Sequence, residues 1–185
     1  MKLQGTIITA MLSILLLACN NVNDTKKTVD NITPVPNVNT HLNVFENIEH
    51  VRSSLSSVGI GTLGEWKEDG MGGYMSTTSY YQIEGDNSSM PNNLAYYLER
   101  TKSDKIESIK LVFNLNNSEA KILAIEKYKD VALQTFKKLD IPFSKELQNA
   151  IFNLKEYSAQ IDNVQIIHTL QQSNIKTWVL TIKPI

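Results

Sequence analysis

The sequence predicts an α+β domain: an antiparallel sheet of about five strands with about three helices packed on one face. Two patterns carry that expectation. Apolar residues recur at spacings of three and four in three stretches, and alternate with polar residues in the strand-like stretches between them. The order helix, three strands, two helices, two strands, with short links between neighbouring strands, is that of an antiparallel sheet with its helices segregated to one side.

The elements follow in order. Val44, Ile48, Val51, Leu55 and Val58 form one stripe of an amphipathic helix, and Gly59 stands where a helix commonly turns left-handed and stops. Residues 74–83 are rich in Tyr and Thr and read as the first strand. Leu94, Tyr96 and Leu98 mark the second; Ile109, Leu111, Phe113 and Leu115 mark the third. A helix starting near Ser118 lines up Ile125, Tyr128, Ala132, Phe136 and Leu139. Another begins at Ser144, after Pro142, and presents Leu147, Ile151 and Leu154. Val164, Ile166 and Leu170, then Trp178, Leu180 and Ile182, give the last two strands, with a turn near Ser173 and Asn174.

Before this domain, expected at 42–185, the chain has a different character. Residues 1–18 carry Lys2, no acidic residue and an apolar run from Ile7 to Ala18, the layout of a secretory signal peptide. That run is about twelve residues long against the roughly twenty needed to cross a bilayer. Leu16-Leu17-Ala18-Cys19 resembles the lipobox of bacterial lipoproteins, with Leu17 standing where a smaller or β-branched residue is more usual. The resemblance implies that the peptide before Cys19 is removed and that this cysteine, the only one in the chain, carries two or three acyl chains. It also implies an address in the cell envelope, in the outer membrane if the host is Gram-negative, because Asn20 is not the aspartate that retains lipoproteins in the inner membrane. Residues 19–41 are polar, rich in Asn and Thr, and contain Pro34 and Pro36; they read as a flexible tether with a reach of roughly 25 Å.

Charge narrows the partners. Without Lys2 the chain has seventeen basic and nineteen acidic residues, a balance that points neither to nucleic acid nor to anionic lipid. The expected partners are the membrane, through the chains on Cys19, and a protein or envelope ligand.

Several motifs suggest chemistry and lack the context it needs. Gly59, Gly61 and Gly64 have the spacing of a dinucleotide fingerprint, but a helix precedes them, and the Gly70, Gly72 and Gly73 that follow oppose the helix the motif requires. No cofactor is expected. Ser118 and Lys121 match the S-x-x-K of serine β-lactamases, whose partner motifs are missing; "KTW" at 176–178 is the nearest approach. The histidines are His41, His50 and an inward His168 among Ile166 and Leu170; no zinc or calcium spacing is present, and no metal is expected. Glu65, Glu68 and Asp69 are the one acidic group on which a hydrolase could be built, and such clusters are usually solvated loops.

The most unusual stretch is "LGEWKEDGMGGYM" at 63–75, which sets Trp66, Met71 and Tyr74 among glycines and charges. Aromatic residues on adaptable loops anchor binding surfaces; alternatively, Trp66 plugs the sheet edge and the glycines serve tight turns. Tyr74, Tyr80, Tyr81, Tyr96 and Tyr97 cluster on the first two strands, where adjacent residues point to opposite faces, so some belong on the outer face. Trp66, Met71, Tyr74 and Tyr80 are therefore the candidate binding residues, with no catalytic set. The expected function is a non-catalytic binding module on a lipid anchor. An immunity or exclusion lipoprotein that neutralises a toxin or phage factor is the sharper alternative; an envelope hydrolase and a purely structural component are the others.

Overall fold

A computed structural model describes residues 43–101, 105–172 and 174–185. The signal, Cys19, the tether, Leu42 and Ser173 lie outside the described residues. The described elements are a 3-10 turn at Asn43–Glu46, helices α1 (Ile48–Ser56), α2 (Lys121–Lys138) and α3 (Lys145–Phe152), and eight strands. The strands are β1 (Lys67–Glu68), β2 (Tyr74–Thr77), β3 (Tyr81–Gln82), β4 (Asn93–Arg100), β5 (Ser108–Leu115), β6 (Tyr157–Ile161), β7 (Val164–Gln172) and β8 (Lys176–Pro184).

They form one antiparallel sheet in the order β1-β2-β4-β5-β8-β7-β6, with β3 also paired to β4. The α+β class is as expected, but the sheet has eight strands rather than about five. Three differences account for the extra strands. The stretch 74–83 makes two strands, because Thr78 donates its N–H to the Tyr96 carbonyl (3.1 Å) and accepts the Tyr96 N–H on its Oγ1 (3.0 Å). A hydroxyl thus replaces a carbonyl in the ladder, and the chain leaves β4 before rejoining it. β1 is a two-residue strand, too short to show any period. β6 alternates Tyr157, Ala159 and Ile161 with Ser158 and Gln160, residues of weak strand preference apart from the first and last.

The helices also depart in detail from the sequence pattern. Asn47 splits the first stripe: its Oδ1 accepts the His50 N–H at 3.0 Å, so α1 starts there and Val44 and Phe45 enter the core from the 3-10 turn. Gly59 has φ of 94° just beyond α1, as its position suggests. Ser118 is not the cap of α2. Ala120 occupies that position with no side-chain bond, while Asn117 Oδ1 takes the Glu119 N–H. Ser144 does cap α3, accepting the Leu147 N–H at 3.1 Å.

Strand alternation divides the side chains between two faces. The first carries Leu94, Tyr96 and Leu98 of β4, Ile109, Leu111 and Phe113 of β5, Trp178, Leu180 and Ile182 of β8, and Val164, Ile166 and His168 of β7, all buried. Tyr128 of α2 stacks on Phe113 (ring centroids 4.9 Å), and Tyr96 shares a short hydrogen bond with Thr135 of α2. An aromatic row continues through His168 to Trp178, whose centroids lie 4.7 Å apart. His168 is fully buried, and its Nδ1 sits 2.7 Å from the Lys155 carbonyl, tying the chain after α3 to β7. Burial is the main cause that pushes its pKa down to about 4, against the smaller opposing effects of the Lys155 carbonyl and Glu156.

Candidate functional site

The glycine-rich stretch is the turn between β1 and β2. Asp69 Oδ1 accepts the backbone N–H groups of Met71 (2.7 Å) and Gly73 (3.0 Å), and the Asp69 N–H donates to the Gly73 carbonyl. These donors, Met71's foremost, hold the Asp69 carboxyl below its ordinary range. Gly70 and Gly72 have φ of 76° and 96°; a Cβ on Gly73 would stand 2.6 Å from Asp69 Oδ2 and 3.2 Å from the Arg100 carbonyl. The glycines therefore serve a built turn, and Met71 projects from it, 90% exposed. One of the three carboxylates on which a hydrolase could rest is consequently occupied with backbone donors.

Trp66 follows a different course. Its ring packs against the core, half-buried, with the Arg100 guanidinium 4.7 Å from the ring centroid and that of Arg52 at 5.6 Å. Arg100 also lies over Tyr74 at 5.2 Å. Arg52 is fixed in turn: it donates to Ser76 Oγ (2.8 Å) and to the carbonyls of Gly64 (2.8 Å) and Leu63 (3.2 Å). Trp66 and Tyr74 thus meet around Arg100 at the β1–β2 edge of the helix-covered face. Neither arginine is marked by any local pattern, since α1 and β4 supply them from distant parts of the chain.

Tyr80 belongs to the opposite face. Its hydroxyl is 2.9 Å from that of Tyr97, and it is 58% exposed. Burial, aided by the Tyr80 hydroxyl, pushes the Tyr97 pKa up to about 12. Tyr81, one position on, turns inward and packs against the core, as does Tyr96 beside Tyr97. The four candidate residues therefore fall in three places rather than one.

This second face has a defined composition. Register places Tyr97, Lys110, Thr181 and Ile167 in one row across β4, β5, β8 and β7, with Ala95, Val112, Val179 and Thr169 in the next. Ala95 and Val179 are buried beneath their neighbours, and the others are half-exposed. Polar groups at both ends satisfy one another. At one, Thr177 Oγ1 donates to Asn114 Oδ1 (2.8 Å) and Asn114 Nδ2 to Asn93 Oδ1 (2.9 Å). At the other, Glu99 accepts from Ser108 Oγ (2.6 Å) and pairs with Lys110 Nζ (2.5 Å). Among the described residues, Arg52 of α1, Tyr128 and Thr135 of α2 and Ser144 at the start of α3 meet the sheet at Ser76, Phe113, Tyr96 and Tyr157, all on the first face.

A polar cleft of about 450 Å³ lies elsewhere, between residues 85–88 and the start of α2. Asp86 organises it by accepting the N–H of Asn92 (2.8 Å), the Asn117 side-chain amide (2.9 Å) and the N–H of Ser88 (3.3 Å). Those donors, led by Asn92, bring its pKa down to about 2. Asn92 is fully buried and bonds in turn to both backbone groups of Asn117, so these residues clamp the 84–92 loop to the end of β5. No group of three or more His, Cys, Asp or Glu residues that could hold a metal occurs among the described residues. No family model, curated protein or solved structure matches the chain.

Proposed function

We propose that the chain is a lipid-anchored lipoprotein of the bacterial cell envelope whose domain is a non-catalytic binding module, holding a protein or envelope component on the second face of its sheet. One observation carries this reading: the helices pack on one side of a wide sheet, while the other side presents a row of tyrosine, threonine and aliphatic groups. The polar ladders at its ends already satisfy their own hydrogen bonds, so a partner meets mainly Tyr80, Tyr97, Val112 and Ile167. Tyrosine supplies a large, rigid contact at low entropic cost, and β-branched side chains on a strand are stiff before any partner arrives. The tether expected at 19–41 suits a module that works above a membrane surface. Among the described residues no helix is long and apolar enough to cross a membrane; in this reading the acyl chains on Cys19 make the attachment.

Hydroxyl-radical footprinting tests the surface without knowledge of the ligand. Oxidation of Tyr80 and Tyr97 is expected to fall severalfold when the chain sits in its host's envelope rather than purified in detergent. Leu133 and Phe152, exposed on α2 and α3, should react equally in both. Equal oxidation of Tyr80 and Tyr97 in the two preparations would remove the support for this face.

A further inference from the structure

The two edges of the sheet are built differently. β1 closes one with two charged residues, Lys67 and Glu68, and a glycine turn. β6 closes the other with Tyr157, Ser158, Ala159, Gln160 and Ile161, which include no charge, proline or glycine. Charges, prolines and very short strands are the usual means of keeping a sheet edge from pairing with another chain. β1 has two of them and β6 has none.

The register shows what β6 offers. Ile161 and Val164 flank a two-residue turn at Asp162 and Asn163, with Asp162 at φ of 51°. In such a hairpin the flanking residues exchange both backbone hydrogen bonds, and bonded and non-bonded pairs alternate from there. Ile161, Ala159 and Tyr157 therefore direct their backbone groups to β7. The N–H and C=O of Ser158 and Gln160 point away from the sheet, and both residues are exposed. Four backbone groups in a row, alternately donor and acceptor, recognise one thing: another extended backbone.

Charge decides between candidate strands. Exposed Glu156 and Asp162 stand at the two ends of β6, roughly 20 Å apart along the strand. In the two-fold register that overlaps two β6 strands completely, Tyr157 meets Ile161 of a second copy and Glu156 meets its Asp162 twice over. Like charges directly opposite destabilise such a pair. A strand with basic ends meets attraction at the same two places.

We propose that β6 is a docking strand that extends the sheet by one extended segment of a partner protein, neutral through its middle and basic at both ends. This site is separate from the second face and stands whether or not that face binds anything.

Two short synthetic peptides test it against the full chain in detergent. Both have the same Thr/Val middle; one ends in lysines and the other in glutamates, and binding is read by fluorescence polarisation at low salt. The lysine peptide is expected to bind about tenfold more tightly, the effect of exchanging repulsion for attraction at two ends. Gln160→Pro should abolish its binding with the unfolding temperature little changed, because the lost N–H points outward and the β7 ladder is untouched. Glu156→Lys, a surface change, should reduce the preference severalfold. Failure of the lysine peptide to bind, or equal binding by Gln160→Pro, would overturn the proposal. So would a dimer of the chain, seen by light scattering, that Gln160→Pro dissolves. Tyr97→Lys should leave peptide binding as it is, which keeps this result distinct from the fate of the second face.

Discussion

Metabolic labelling with palmitate is expected to mark the wild-type chain and leave Cys19→Ala unlabelled, with the variant lost from the membrane fraction. Both effects should be nearly complete. Each acyl chain contributes about 0.8 kcal/mol per buried methylene, and two or three chains hold a protein where one binds only reversibly. The near-neutral charge of the chain offers no second attraction to anionic lipid that could keep the variant in place. Because Cys19 is the only cysteine, no other thiol can take the label. Label persisting in Cys19→Ala would refute lipid anchoring at this residue, and label absent from both proteins would refute lipidation itself.

Acid should weaken the domain between pH 6.5 and pH 4 through His168. The imidazole is buried between Tyr128 and Trp178, and its folded pKa of about 4 lies below the ordinary 6.5. Above pH 6.5 both folded and unfolded chains hold it neutral. As pH falls through 6.5 the unfolded chain takes up the proton while the folded chain resists it until about pH 4, so stability declines over that window. The difference corresponds to about 3 kcal/mol, a large part of the margin of a domain this size. Asp86 and Asp69 do not confuse the measurement. Their folded values are lowered from 3.8, so their contributions are complete above about pH 4 and are lost only in stronger acid. Urea unfolding at pH 4.5 and pH 7 should show the midpoint falling steeply in wild type and much less in His168→Phe, which keeps an aromatic ring in the row. The variant will be less stable at neutral pH, since the Lys155 carbonyl loses its partner, and the slope with pH is the informative quantity. Equal slopes in the two proteins would contradict the assignment.

The fold was legible wherever one residue's neighbours in sequence decide its structure. The stripe from Ile125 to Phe136 marks the buried side of α2, the Ser144 hydroxyl caps α3, and period two in β4, β5, β7 and β8 fixes which residues form the core. Missed features depend on remote partners. Thr78 interrupts a strand only because Tyr96 is opposite it, and β6 is a strand because β7 pairs with it despite Ser158, Ala159 and Gln160. The candidate surface shows the same division. Alternation alone sends Tyr96 inward and Tyr97 outward, and the glycines around Met71 announce a turn. The position of Trp66, however, is set by Arg52 and Arg100, and Tyr80 finds Tyr97 across the gap where the first strand breaks.

Photo-cross-linking in the host's own envelope tests the central claim, that the second face of the sheet is the working surface. A photoreactive phenylalanine analogue replaces Tyr97 in one variant and Phe152, exposed on α3, in another. The account predicts a discrete cross-linked product from position 97 that is absent from position 152. No product from position 97, or the same product from both positions, would contradict it.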